Sequence, residues 1–175
     1  MRIVIAIFLA VLLSGCVIEK TVSLSSKALA PSKLKEPVSS VTIEAPPIGT
    51  EVLLFNDNGK ANFRYTLTND IKPEIEKVIK SVYPVNENSP KKINVKVDIK
   101  YFTLFVQGSM SNKINLLMTV KVDVLSAGKI ETSDTFMIKE EDEYSTLMLT
   151  YPRESNLQSL FEKAYTQLAK EMSEK

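Results

Sequence analysis

The chain has 175 residues, of which 44% are hydrophobic, with 22 Lys and Arg against 21 Asp and Glu. This size and composition predict a single globular domain with its own core. The near-zero net charge argues against a nucleic acid partner, which requires clustered positive charge. The absence of His excludes Ser-His-Asp and Cys-His triads, and the single Cys excludes an internal disulfide. We expect no cofactor, no metal and no catalytic activity.

The first residues form an apolar run. Residues 3–13 are eleven consecutive apolar side chains after Met1 and Arg2. That run is shorter than the roughly 20 residues needed to span a bilayer, but it fits the core of a secretory signal peptide. The sequence that follows resembles the bacterial lipobox, in which the Cys is acylated and becomes the mature N-terminus: Leu13, Ser14, Gly15 and Cys16.

The lipobox implies a membrane address. Residues 1–15 are then a signal peptide, and palmitate-type chains on Cys16 anchor the protein, since one acyl chain alone holds only marginally. The alternative is an ordinary cleaved signal with an incidental Cys. Val17 resembles the outer-membrane address of Gram-negative lipoproteins, which would place the chain at the outer membrane, facing the periplasm. In a Gram-positive organism that inference does not apply.

The segment after the anchor is polar and irregular. Residues 16–40 are rich in Ser and Lys, contain Pro31 and Pro37 and lack sustained periodicity, which predicts a lipidated Cys followed by a flexible tether. Such a coil would reach about 25–30 Å. Residues 41–175 are predicted to form a single α+β domain.

The first predicted elements of that domain are a strand over Val41–Ala45 and a helix. Residues 46–67 are ambiguous between a hairpin and an ordered loop. The helix is predicted from Asn69 or Asp70 to the residue before Pro84. Its apolar face follows the spacing of helical turns and comprises Ile71, Ile75, Val78, Ile79 and Val82.

Three alternating segments predict an antiparallel meander over residues 92–106, 113–125 and 129–139. Pairing residues whose numbers sum to 219 would set Asp98 opposite Lys121 and Lys96 opposite Asp123. A shift by two residues would instead oppose like charges. Asp134 falls on the apolar face, which requires an edge position or a hydrogen-bond donor.

A final amphipathic helix is predicted after Pro152. Ser155 and Gln158 have the spacing of a capping box, and apolar side chains follow at helical spacing as far as Met172. These elements predict a two-layer α+β sandwich in which an antiparallel meander sheet carries two helices packed on one face.

The order of these elements resembles that of a known lipoprotein family. The lipobox, the helix of residues 70–82, the strands of residues 93–129 and the last helix of residues 156–172 are similar to those of the YajG-type small outer-membrane lipoproteins. The resemblance spans residues 66–172 and implies a lipid-anchored protein with no settled enzymatic role and no catalytic motif. More distantly, the fold resembles that of the lipopolysaccharide-assembly lipoprotein LptE.

Two polar clusters contain residue types that could form a chemical site. Residues 140–143 read Glu-Glu-Asp-Glu, and we interpret them as a solvated acidic loop, because a Ca²⁺ loop needs spaced ligands and a Gly. Ser109, Ser111 and Lys113 share a predicted hairpin tip. An exposed tip offers no desolvation to lower the pKa of a Lys, so Ser-Lys chemistry is disfavoured.

An apolar surface is the stronger functional signal. The predicted register aligns three apolar side chains on the helix-free face, flanked by two more, and these form the candidate partner patch: Phe102, Leu117 and Met137, with Leu104 and Val106. Exposed contiguous apolar area favours a binding surface. The alternatives are that residues 144–151 cover the patch or that the register differs.

The sequence therefore predicts a non-catalytic envelope scaffold or accessory protein that contacts another envelope protein. The alternative is a module that binds a small ligand or lipid in a cleft between helices and sheet, lined by Tyr83, Tyr101 and Phe136.

Overall fold

The computed structural model describes residues 18–25, 31, 33–55, 61–104, 111–145 and 152–175. Within these ranges it contains seven strands and two helices, so the predicted α+β class is confirmed. The elements are β1 Ile18–Val22, β2 Ser40–Glu44, β3 Glu51–Phe55, β4 Ala61–Leu67, α1 Lys72–Val82, β5 Lys91–Leu104, β6 Ser111–Ser126, β7 Lys129–Ser145 and α2 Glu154–Glu174.

The strands form two mixed sheets, where a single antiparallel meander was predicted. The larger sheet has the order β2-β5-β6-β7, and the smaller has the order β1-β4-β3. Each contains one parallel pair, β2 with β5 and β1 with β4. A parallel pair needs a long crossover connection, and the chain between β2 and β5 contains β3, β4 and α1. The predicted meander is therefore present as β5-β6-β7, and the two parallel pairs correct the expectation of a sheet that is antiparallel throughout.

The two helices contact each other and the larger sheet. α2 packs on β6 and β7, and α1 packs on α2 and β2. Their predicted apolar faces are buried, among them Ile75 and Val78 of α1 and Leu160 and Leu168 of α2. Burial of these faces against one side of the larger sheet forms the main core.

The start of α2 differs from the prediction. The Arg153 N–H donates to Asn156 Oδ1 at 2.9 Å, and the Asn156 N–H donates to the Arg153 carbonyl at 3.0 Å. This reciprocal pair closes the first turn, so the predicted capping box of Ser155 and Gln158 is wrong. The Gln158 amide instead holds the backbone of Ser25: its Oε1 accepts the Ser25 N–H at 3.1 Å, and its Nε2 donates to the Ser25 carbonyl at 2.6 Å.

The register of β5 and β6 is shifted by two residues from the prediction. Lys96 lies opposite Lys121, so paired residue numbers sum to 217. A shift of two leaves every side chain on its predicted face, and burial therefore cannot distinguish the two registers. Each lysine has its own acid: Lys96 Nζ lies 3.4 Å from Glu44, and Lys121 Nζ lies 2.9 Å from Asp123. These neighbours reduce the repulsion on which the prediction relied.

Much of the predicted tether belongs to the folded domain. β1 lies within it, and Val22, Leu24 and Val38 are fully buried in the core. The Val38 N–H donates to the Pro84 carbonyl at 2.9 Å, which fixes the segment beside the end of α1. The prediction of a flexible tether over residues 16–40 is therefore corrected for the residues that the structure describes there.

Asp134 has both an edge position and a charged partner, either of which would account for a carboxylate on the apolar face. It lies in β7, at the edge of the larger sheet, and its Oδ1 is 2.7 Å from Lys175 Nζ. The same ammonium lies 5.3 Å from the centroid of the Phe136 ring. The end of the chain therefore covers this end of the core, where α2 finishes.

Candidate functional site

The predicted anchor lies outside the described residues. Leu13, Ser14, Gly15 and Cys16 precede Ile18, where β1 begins, so lipidation of Cys16 remains a prediction. Among the described residues, no helix is both long and apolar enough to cross a membrane.

The candidate partner patch is present in part on the helix-free face. Leu117 is partly buried in β6, between Lys100 of β5 and Lys139 of β7. Met137 lies two residues from Lys139 on β7 and is 59% exposed. The two apolar side chains are therefore diagonal neighbours on adjacent strands.

The predicted row of three aligned apolar residues is wrong. The shifted register sets Phe102 opposite Asn115 and not opposite Leu117. Phe102 and Leu104 lie in β5, but their side chains are outside the described part, as is Val106.

The alternative in which residues 144–151 cover the candidate partner patch can be checked at Tyr144. Tyr144 is buried on the core side of β7, where its hydroxyl accepts a bond from Asn112 Nδ2 at 3.4 Å. Tyr144 therefore does not cover the helix-free face. Residues 146–151 lie outside the described residues, so their part of this alternative stays a prediction.

A groove of about 410 Å³ opens beside Leu117. Its lining combines apolar, amide and charged groups from two strands: Asn115, Leu116, Leu117, Lys139, Glu140 and Glu141. The Nδ2 atom of Asn115 is buried and has no hydrogen-bond acceptor among the described residues. Because a buried donor without an acceptor costs about 1–3 kcal/mol, this amide favours an incoming acceptor group. This groove could not be predicted from the sequence, because it depends on the register of the strands.

Lys113 forms ion pairs with two carboxylates of β7 beside the groove. Lys113 Nζ lies 2.9 Å from Glu141 and 3.7 Å from Glu143. The hydrogen bond to Glu141, together with the charge of that carboxylate, raises the pKa of Lys113. A lysine acting as a general base needs the opposite shift, so this contact argues against Ser-Lys chemistry. Ser109 and the side chain of Ser111 lie outside the described part.

The acidic run is part of β7, which corrects its interpretation as a loop. Its side chains alternate between the faces of the sheet, with Glu141 and Glu143 beside Lys113 and Asp142 3.1 Å from Lys163 of α2. Partial burial raises the pKa of Glu140, and the charge of Lys163 offsets this in part. In the described part of the chain, no group of three or more His, Cys, Asp or Glu could hold a metal ion.

A second groove of about 340 Å³ follows the seam between the two sheets. It is lined by the β2–β3 connection, β3, the end of β4 and β5: Pro46, Thr50, Glu51, Val52, Leu53, Leu67, Ile99 and Lys100. The sequence left residues 46–67 ambiguous, so this seam could not be predicted.

The cleft predicted between helices and sheet is not open at Phe136. That side chain is 5% exposed and lies in the core. Tyr83 is partly buried. Burial is the main cause that raises the pKa of its hydroxyl, and the negative charge of Asp134 adds to it. The side chain of Tyr101 lies outside the described part.

Comparison with known proteins identifies the fold. No protein-family model and no curated protein matches the sequence. A DUF330-family protein from Xanthomonas campestris is similar in structure, with a TM-score of 0.55 and 11% identity over 87% of this chain and 91% of that chain. A minor lipoprotein from Acinetobacter baumannii has a TM-score of 0.41 and 14% identity over 79% of this chain and 91% of that chain, too low a score to support an inference. The chain therefore shares the fold of a DUF330-family protein, at an identity that carries no function with it.

Proposed function

We propose that the protein is a lipoprotein of the bacterial outer membrane, anchored through acylated Cys16, that acts by binding another envelope protein and catalyses no reaction. The observation that carries the anchor is the Leu-Ser-Gly-Cys sequence directly after eleven apolar residues. The sole Cys of the chain occupies the position that acylation requires. The resemblance to YajG-type lipoproteins supports the same proposal.

The helix-free face around Leu117 is the proposed contact surface. It offers an exposed apolar side chain in Met137, a groove beside Leu117 and an amide donor on Asn115 without an acceptor among the described residues. Apolar contact area with a few placed polar groups is typical of protein interfaces. The fitting partner presents an apolar side chain flanked by a hydrogen-bond acceptor, such as a backbone carbonyl.

The anchor is tested by Cys16→Ser. We expect the variant to leave the membrane fraction or to accumulate unprocessed, because no thiol remains for acylation. Mass spectrometry of the wild-type protein should show acyl groups on Cys16 at the mature N-terminus. An unmodified Cys16, or a variant that still fractionates with the membrane at the wild-type level, contradicts the proposal.

The contact surface is tested by two substitutions on β7. Met137 and Ile130 are 59% and 58% exposed, but Ile130 lies seven residues from Met137, opposite Leu125. We expect Met137→Glu to abolish crosslinks to the partner in intact cells, and Ile130→Glu to retain them. Thermal unfolding should change little in either variant, since both side chains are exposed. Equal crosslinking in the two variants would exclude this face.

A second candidate function rests on the seam groove, whose walls include Val52, Leu53 and Ile99. Such a groove would hold an acyl chain or another small apolar ligand. Native mass spectrometry of the protein purified from membranes would then show a bound molecule besides the acyl groups on Cys16. Leu53→Lys should remove that molecule, and its absence from the wild-type protein would exclude this function.

A further inference from the structure

The direction of β1 relative to α2 can be read from contacts along the chain. The Ser23 N–H donates to Glu154 Oε1 at 3.5 Å, in the first turn of α2. Two residues later, Ser25 is held by Gln158, one turn further along the helix. The chain after β1 therefore runs along α2 from its N-terminus toward its C-terminus.

A third contact lies further back along β1. Lys20 is paired with Tyr65 of β4, and the Tyr65 hydroxyl donates to the carbonyl of Pro152, just before α2 begins. The contacts made from positions 20, 23 and 25 thus lead to positions 152, 154 and 158 in the same order, the first of them through the Tyr65 side chain. Ile18 precedes them and, at about 3.3 Å per strand residue, its backbone lies about 16 Å back from Ser23. β1 therefore enters from the end of the domain at which α2 begins.

The other end of the domain is marked by the end of α2. There Lys175 contacts Asp134 of β7, and the β6–β7 turn at Ala127 and Gly128 lies further along the same strands. From Glu143 to Lys129, β7 extends about 45 Å. The molecule thus has an entry end, defined by Ile18 and the first turn of α2, and a distal end, defined by the β6–β7 turn.

The entry end lies next to the predicted anchor in the chain. Cys16 precedes Ile18 by two residues, which span at most about 7 Å. A flexible tether over residues 16–40 would have allowed about 25–30 Å. Because β1 is paired into the smaller sheet, most of that reach is lost.

We propose that acylated Cys16 holds the entry end of the domain directly against the lipid headgroups, with the distal end pointing away from the leaflet. This orientation rests on the proposed lipid anchor. It places the groove beside Leu117 near the membrane, since Leu117 is paired with Lys139, about 13 Å along β7 from Glu143. The partner of the helix-free face is then a protein embedded in the same leaflet or lying on it.

The orientation is tested with nitroxide labels on the acylated protein. Glu19→Cys places a label at the entry end, and Lys129→Cys places one at the distal end; both positions are exposed. The protein is reconstituted in phosphatidylethanolamine–phosphatidylglycerol vesicles that contain a nickel-chelating lipid, which relaxes nearby nitroxides. We expect strong relaxation at position 19 and none above background at position 129.

A linker variant is the matched control. Twelve Gly and Ser residues inserted between Val17 and Ile18 add a reach of about 17–21 Å, so relaxation at position 19 should fall toward that at position 129. Equal relaxation at the two positions without the linker, in protein whose acylation has been verified, overturns the orientation and leaves the anchor standing. An unmodified Cys16 overturns both.

Discussion

The two sheets of this molecule differ in how readily their strands can be predicted from the sequence. β5, β6 and β7 are 14 to 17 residues long and alternate apolar and polar side chains, and the helices that cover them carry long apolar faces. The strands of the smaller sheet have five to seven residues, and its outer strand β1 pairs in parallel with a strand about 45 residues away. Long periodic segments are recognisable from residue spacing alone, whereas the short strands of the smaller sheet are not.

The smaller sheet is nevertheless part of the core. Val22, Leu24, Leu54 and Tyr65 are each at most 1% exposed. The segment has the composition of a tether, but its apolar side chains at Val22 and Leu24 are as deeply buried as those of a core strand. Its order also brings the predicted anchor close to the domain.

The largest expected effect tests this burial with two Leu→Ala substitutions in the predicted tether. Leu24→Ala should lower the free energy of unfolding by about 2–5 kcal/mol, because the side chain is buried. Leu34 is 59% exposed, so Leu34→Ala should change the free energy of unfolding by less than about 0.5 kcal/mol. Denaturant unfolding of the purified mature chain measures both. Similar values for the two variants would mean that β1 and the residues after it do not pack.

A smaller effect compares one buried tyrosine from each region. The Tyr65 hydroxyl donates to Pro152, so Tyr65→Phe should cost about 0.5–1.5 kcal/mol. The Tyr165 hydroxyl of α2 is buried without a hydrogen-bond partner among the described residues, and burial raises its pKa. Tyr165→Phe should therefore leave the thermal unfolding temperature unchanged or raise it. A larger loss for Tyr165→Phe than for Tyr65→Phe would reverse this comparison.

The smallest expected effect concerns Glu140 of the larger sheet. Burial raises its pKa in the folded state, so the folded protein holds this proton more tightly than the unfolded chain, and its contribution to stability falls as the pH rises. Glu140→Gln should stabilise the protein at pH 7 by up to about 0.5 kcal/mol, and the difference should vanish in acid. Thermal unfolding between pH 3 and pH 8 measures this. Glu141→Gln is the control, because its carboxylate pairs with Lys113 and its loss should not stabilise.

The side of the sheet on which the candidate site lies could be predicted from the sequence, but the neighbours of its residues could not. Alternation alone places Leu117 and Met137 on the helix-free side, and both lie there. Their neighbours depend on register, and a shift of two residues replaces Leu117 by Asn115 opposite Phe102 of β5 without moving any apolar side chain into water. Exposed ion pairs contribute little free energy, so a pairwise charge rule does not decide between the two registers.

The sequence by itself determined the elements with long periodicity, their buried faces and the lipobox, because these follow from residue spacing within one continuous segment. The tertiary structure decided the pairing of β1 with β4 and of β2 with β5, the register of β5 and β6, and the seam between the sheets. Each of these joins residues far apart in the chain, and their free energies depend on which partners meet. The position of the predicted anchor beside the entry end follows from those pairings and could not be read from composition.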